Sequence, residues 1–171
     1  IITPEVSFRR DIFMIYGFMA LFAALIVAAD QVTKYLVVAN IPLYTRVPAI
    51  PGLIHWTYVQ NTGAAFSSFE GMRWLFVVIF AVFTGLIIWE FSKKRWPLTM
   101  FERWCITAIY AGGLGNIIDR VRLGYVVDMI ETEFISFPVF NVADCFITCG
   151  CAALLIHLIF FNKNFWKDAK A

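Results

Sequence analysis

The sequence predicts a mainly α-helical membrane protein, with four transmembrane helices and a small β-sheet lying on the membrane surface. Three observations carry that prediction. Apolar residues make up 61% of the 171 positions and charged residues only 15%, where a soluble domain usually has about a quarter of its residues charged. The apolar residues gather in four runs, near 12–38, 73–91, 102–118 and 143–161, and a spanning helix needs about 20 such residues. Between the first two runs, residues 40–70 are rich in aromatic and β-branched side chains and are punctuated by Pro42, Pro48, Pro51 and Gly52, the composition of short strands and turns. The length suits one integral membrane domain.

The first run is unbroken and uncharged from Ile12 to Ala29, with no convincing small-residue cleavage site before Asp30. It reads as a retained helix rather than a signal peptide. Asp30 and Lys34 follow at i and i+4 on one helical face, a spacing that allows an ion pair. That pair is either a plain helix-end salt bridge or the brace of a site. Residues 53–60 alternate loosely and form a strand candidate, with Asn61-Thr62-Gly63 as a turn and residues 64–69 as a possible return strand. Trp56 and Tyr58 suit the membrane interface, and His55 reads as a surface residue.

The second run lies between Arg73 and Glu90 with Trp74 and Trp89 near its ends, and Trp96-Pro97 stops it. The third is opened by Glu102 and Arg103 and holds Gly112, Gly113 and Gly115. Small residues let helices approach closely in lipid. It turns polar at Asn116, Asp119 and Arg120. Residues 119–142 read as a wet loop with a short amphipathic or extended piece. The fourth run is entered through Asn141 and Asp144, which places Asp144 in a first helical turn, where the helix dipole favours negative charge. His157, deep in this run, reads as packed or as facing the cytoplasm.

Charge fixes the orientation. The side holding both termini and the 92–101 connection collects Arg9, Arg10, Lys93, Lys94, Arg95, Arg103, Lys163, Lys167 and Lys170. The other holds Arg46, Arg73, Arg120 and Arg122, with Lys34 nearby. The first side is expected to be cytoplasmic. Asp30, Asn61, Asn116, Asp119, Asp128 and Asp144 then gather at the outer face. The net charge of +2 gives no reason to expect a nucleic-acid partner. Cys105, Cys145, Cys149 and Cys151 all sit in apolar runs and read as small buried residues; their spacing makes no metal site.

A carboxylate near hydrocarbon costs roughly 2.5–3.5 kcal/mol on insertion scales, so the outer cluster needs a reason. Two carboxylates held close do not both ionise cheaply, and such a pair shares a proton as aspartic proteases do. Asp128 and Asp144 are the natural pair, because neither has a basic residue three or four positions away. Asp119, flanked by Arg120 and Arg122, is the better structural carboxylate. Asn116 and Asn141 can hydrogen-bond a substrate backbone or fix a carboxylate. The plainer alternative makes Asp144 a helix-terminal residue and Asp128 a wet loop residue. Serine chemistry lacks a His partner, and no His-Glu-x-x-His pattern suggests a zinc protease.

Five stretches in order complete the reading: Asp30-Gln31-x-x-Lys34, Asn61-Thr62-Gly63-Ala64-Ala65-Phe66, the run from Gly112 through Asn116 to Asp119-Arg120, Val126-Val127-Asp128, and Phe140-Asn141-Val142-Ala143-Asp144. Through them the sequence resembles the prolipoprotein signal peptidase (signal peptidase II) family of bacterial aspartyl proteases. The resemblance implies four transmembrane helices with a periplasmic β-cradle and a short periplasmic helix. It implies an enzyme of the bacterial cytoplasmic (inner) membrane that removes the signal peptide from prolipoproteins carrying a diacylglyceryl-Cys, cutting before that Cys. Asp128 and Asp144 fall on the catalytic pair. Asn61, Gly63, Asn116, Arg120 and Asn141 fall on residues lining the site, facing substrate or the peptide antibiotic globomycin, while Asp30, Lys34 and Asp119 fall on supporting positions. It implies no cofactor and no metal, with membrane lipid as surroundings; a monomer is expected as the working unit, a point the resemblance does not settle. Cys145 stands where a small residue such as Ser is expected. Residues 53–69 are expected to clamp over substrate. Outside the resemblance, a small transporter with a carboxylate ion site and a purely structural membrane partner are the competing readings; transport sites usually lie near the midplane.

Overall fold

A computed structural model describes residues 4–63, 69–93 and 96–168 of the chain. Five helices and three strands follow one another: α1 (Pro4–Asn40), β1 (Arg46–Ile50), β2 (Ile54–Asn61), α2 (Arg73–Lys93), α3 (Met100–Arg122), β3 (Val126–Thr132), α4 (Val142–Phe160) and α5 (Lys163–Asp168). Segments Phe13–Asn40, Arg73–Lys93 and Val142–Phe160 are long and apolar enough to cross a membrane. Their outward residues, such as Leu25, Val82 and Ile156, are more than half exposed, which in a bilayer means facing lipid. α3 is also 23 residues long but carries buried Glu102, Arg103, Asn116, Asp119 and Arg120. It packs against α1, α2 and α4, so its polar residues meet protein rather than lipid.

Glycines set how closely α3 is approached. A Cβ at Gly112 would lie 2.5 Å from the Ala143 carbonyl oxygen, and one at Gly115 would lie 2.6 Å from Asp30 Oδ2. The packing role expected of these small residues is thus visible atom by atom. Ile26, Ala108 and Ala111 make the buried contact between α1 and α3.

The three strands form one antiparallel sheet in the order β1-β2-β3. The β1–β2 hairpin turns at Pro51-Gly52: Leu53 N–H donates to Ile50 O at 3.0 Å, and Gly52 has φ +76°, the combination of a type II turn with Pro and Gly in its central positions. The expected return strand at 64–69 lies, but for Phe69, outside the described residues. The partners that β2 has are β1 on one edge and β3 on the other. β3 thus takes an extended piece of the segment read as a loop and makes it the sheet's most buried strand. Tyr58, Val127 and Met129 pack with Val37 of α1, which seats the sheet on the end of the helices. No short helix accompanies the sheet among the described residues; the short helix present there, α5, follows α4.

β3 is also where the chain doubles back. Phe140 bridges to Ile130, with N–H···O distances of 2.8 and 3.1 Å in the two directions. That bridge delivers Asn141 beside Asp128 and starts α4 there.

Candidate active site

The site grows from the N-terminus of α4. Asn141 is the helix cap: its side-chain oxygen accepts from Asp144 N–H at 3.0 Å, and Asp144 Oδ2 accepts from Asn141 N–H at 3.1 Å. This reciprocal capping box satisfies two backbone donors, so the plainer reading of Asp144 as a helix-terminal residue describes a real part of its geometry. The same cap reaches further. Asn141 Nδ2 donates to Asp128 Oδ1 at 2.7 Å and to Asn116 Oδ1 at 3.1 Å. Asn116 Nδ2 donates to Asp144 Oδ1 at 2.8 Å. Asn61 Nδ2, at the end of β2, donates to Asp128 Oδ2 at 2.9 Å. Each carboxylate therefore takes two amide N–H bonds, and three asparagines from β2, α3 and the α4 cap hold the two acids in one cluster.

Gly63 follows directly. Its N–H donates to Asn61 Oδ1 at 2.9 Å, and its carbonyl accepts from Arg120 Nη2 at 2.8 Å. Arg120 lies with its guanidinium carbon 4.3 Å from the centre of the Phe76 ring. Asn61, Gly63, Asn116, Arg120, Asp128 and Asp144 all line a cavity of about 730 Å³, whereas Asn141, expected to line it, is fully buried behind the two acids because its amide is spent on Asp128 and Asn116. Phe137, Phe140 and Ile147 give it an apolar wall.

Asp30, Lys34 and Asp119 do not reach the cavity. They lie beneath it as a buried polar hub. Lys34 Nζ is 2.8 Å from Asp30 Oδ2, 3.0 Å from Asp119 Oδ2 and 2.9 Å from Asn116 Oδ1, one acceptor for each of its three protons. Asp30 Oδ1 accepts from Ala143 N–H at 3.0 Å and Asp119 Oδ2 from Val127 N–H at 3.1 Å. Sequence adjacency misled on one point: Asp119 is partnered by Lys34 and Gln31, while neighbouring Arg120 turns to Gly63. Consecutive helical residues point about 100° apart, so they do not face each other. Gln31 is the hub member that the sequence reading named within the Asp30-Gln31-x-x-Lys34 stretch but gave no role. Its amide donates to Asp119 Oδ1 and to Gly115 O at 3.0 and 3.2 Å, and its place between Asp30 and Lys34 was the available signal.

Burial, together with the nearby Asp144 charge, raises the Asp128 carboxyl to about 6, against the pull of the Asn61 and Asn141 amides and of Lys34. Beside the sheet, the hydrogen bond that Tyr125 shares with Tyr58, with burial, raises the Tyr125 phenol to about 12. The cysteines depart from expectation. Cys105 is buried, but Cys149 is exposed and lines the cavity with Cys145, because this face of α4 is turned to the cavity rather than to another helix. His157 packs as expected, between Phe101 and Phe161, with Nδ1 2.8 Å from Glu102 Oε1.

Comparison with known proteins places this geometry. The model of the family described as signal peptidase (SPase) II matches residues 22–160. The lipoprotein signal peptidase of Streptococcus pyogenes serotype M1 is 43% identical over 144 residues, covering 84% of this chain and 90% of that protein. The corresponding protein of serotype M5 (strain Manfredo) is 42% identical over the same share of each chain. A solved bacterial membrane enzyme, determined by the in meso method at 2.3 Å, superposes with a TM-score of 0.79 at 33% identity, covering 86% of this chain and 91% of that one. A second, at 1.9 Å, gives a TM-score of 0.76 at 33% identity, covering 85% and 95%. The chain belongs to the signal peptidase II family and is a membrane-embedded protease.

Proposed function

We propose that this protease removes signal peptides from prolipoproteins carrying a diacylglyceryl-Cys, cutting just before that residue, by two-aspartate activation of water. The observation that carries the reading is the pair Asp128 and Asp144, bound by shared asparagines on one cavity at the membrane edge. Asp128 is buried in a strand and holds its proton up to about 6. Asp144 sits in the first turn of α4 and accepts a backbone N–H, a place that favours the anion. Asp144 therefore takes the proton from the attacking water, and Asp128 donates a hydrogen bond to the scissile carbonyl. The water oxygen adds to the carbonyl carbon. The tetrahedral centre then collapses as the peptide C–N bond breaks, and the leaving nitrogen takes a proton from the pair.

The cavity's polar floor and apolar wall suit an amphiphilic substrate whose acyl chains stay in the bilayer. Four spans, with α3 as the central one, both termini on the cytoplasmic side and the cavity at the outer face, agree with the distribution of basic residues. Globomycin would compete for the same cavity, and the working unit is a monomer. Residues 53–69 act as a clamp over substrate, anchored where Gly63 meets Arg120.

The test is cleavage of a lipidated prolipoprotein in liposomes by the wild type, Asp128→Asn and Asp144→Asn, with folding checked. Each variant is expected to lose about 10²–10⁴-fold in rate, the usual contribution of general acid–base groups. Near-normal cleavage by either folded variant would make that aspartate structural. A folded wild type that does not cut would bring the transport reading forward.

A further inference from the structure

A second cavity of about 740 Å³ lies between α1 and α2, with α3 as its floor. It shares no lining residue with the catalytic cavity. Ala20, Ala24 and Ala28 form its α1 wall, one turn apart and all exposed. Thr107, Tyr110 and Leu114 form its floor. Tyr16 and Phe91 close one end, their ring centroids 5.8 Å apart, and Gln31 marks the other, under the polar hub. The whole groove lies within helices, open sideways to the bilayer, so hydrocarbon is what can enter it.

Arg103 supplies a second, independent observation. Residues 103, 107, 110 and 114 follow the i, i+4, i+7, i+11 spacing of one helical stripe, so Arg103 lies on the same face one turn beyond the lined floor. Its guanidinium carbon lies 5.3 Å from the centre of the Phe91 ring, a wall of the groove. The residue is only 9% exposed, and its Nη1 has no hydrogen-bond partner among the described residues. A buried guanidinium nitrogen without an acceptor is costly, and phosphate is a matched acceptor for it. The neighbouring Glu90 carboxylate accepts instead from Trp96 N–H, at 3.2 and 3.3 Å.

We propose that this groove binds one phospholipid of the leaflet opposite the catalytic cavity, with an acyl chain along α3 between α1 and α2 and its phosphate on Arg103. The phosphate gives the buried cation its acceptor, and the chain fills the space the alanine stripe leaves open. The bound lipid thus fills the gap between α1 and α2 over α3, directly beneath the hub whose Lys34 holds Asn116.

Native mass spectrometry of the delipidated full chain in detergent tests this, with dioleoyl phosphatidylglycerol and dioleoylglycerol as probes. One phosphatidylglycerol is expected to be retained per chain and dioleoylglycerol to be held far more weakly. Arg103→Gln should weaken phosphatidylglycerol about tenfold, the loss of roughly one charge-assisted contact, and leave dioleoylglycerol unchanged. Ala24→Phe, which fills the groove, should abolish retention while the protein stays folded by thermal melt. If Ala24→Phe does not fold, Ala20→Leu is judged by the same readout. Equal retention of both probes, an unchanged Arg103→Gln, or retention by a folded groove-filling variant would each overturn the proposal. Cleavage is not part of the readout, so failure here is separate from failure of the catalytic reading.

Discussion

Asp128 shows what a single residue can reveal through pH. The residue is 2% exposed, and its pKa rises from 3.8 to about 6 in the folded protein. A carboxyl with a raised folded value binds more protons folded than unfolded between those limits. The native state therefore gains stability as pH falls from about 6 toward 3.8 and lacks that gain above about 6. The span corresponds to about 3 kcal/mol at about 1.4 kcal/mol per pH unit. Denaturation of wild type and Asp128→Asn across that range should show a gain in the wild type that the variant lacks, since carboxyls not coupled to Asp128 contribute equally to both. Parallel profiles would mean that Asp128 titrates as an ordinary exposed acid. In the sequence, the absence of a basic residue near Asp128 and Asp144 singled out this pair. The sequence did not disclose that Asn141 would serve both acids, because that depends on the Ile130–Phe140 bridge between residues distant in the chain's local patterns.

At the scale of elements, helices were legible and strand partners were not. Hydropathy over about 20 residues is a local property, so the apolar segments announce themselves. Strand pairing is nonlocal: β2 meets β3 across some 70 residues, Asn61 opposite Val126, and nothing near either strand encodes the other. The Asn61-Thr62-Gly63 turn signal has a physical basis in the bond from Gly63 N–H to Asn61 Oδ1, while the described hairpin turns earlier, at Pro51-Gly52. The glycines of α3 yield a graded prediction. Gly112→Ala meets the backbone of α4 at 2.5 Å, and Gly113→Ala meets the ring edge of Phe80 at 2.7 Å, while Gly85→Ala meets nothing within 4 Å. Backbone yields less readily than a side chain. Gly112→Ala should therefore cost about 1–3 kcal/mol, the range for overpacking, Gly113→Ala less, and Gly85→Ala nothing. Chemical denaturation in detergent ranks them; equal costs for Gly112 and Gly85 would show that α3 and α4 are not held at this separation.

For the whole molecule, the polar hub ties the bundle, the sheet and the site into one object. Lys34 of α1 reaches Asp119 and Asn116 of α3; Asp119 holds Val127 of β3; Asp30 holds Ala143 of α4; and Asn116 passes the connection to Asp144. The Asp30 and Lys34 side chains are 0% and 4% exposed and Asp119 is 4%, so this is a buried hub in contact with the candidate site rather than a solvated helix-end pair. Two carboxylates share one cation there, and in a dry environment the cation is what makes their burial tolerable. Removing one partner of a buried ion pair typically costs about 3–5 kcal/mol, because the partner charge is stranded. Lys34→Met should therefore destabilise by about that much and, by freeing Asn116 from α1, slow cleavage as well. Adding Asp30→Asn and Asp119→Asn removes the stranded charges, and the triple variant should recover much of the stability. Its cleavage should stay depressed, since no cation then fixes Asn116 against Asp144. Unfolding and cleavage measured on the single and triple variants separate the two roles. A stability loss below about 1 kcal/mol in Lys34→Met, the range of a surface pair, would mean the hub does not carry the fold. Full recovery of cleavage in the triple variant would mean that Asn116 is oriented by Asn141 alone, through the 3.1 Å contact they share.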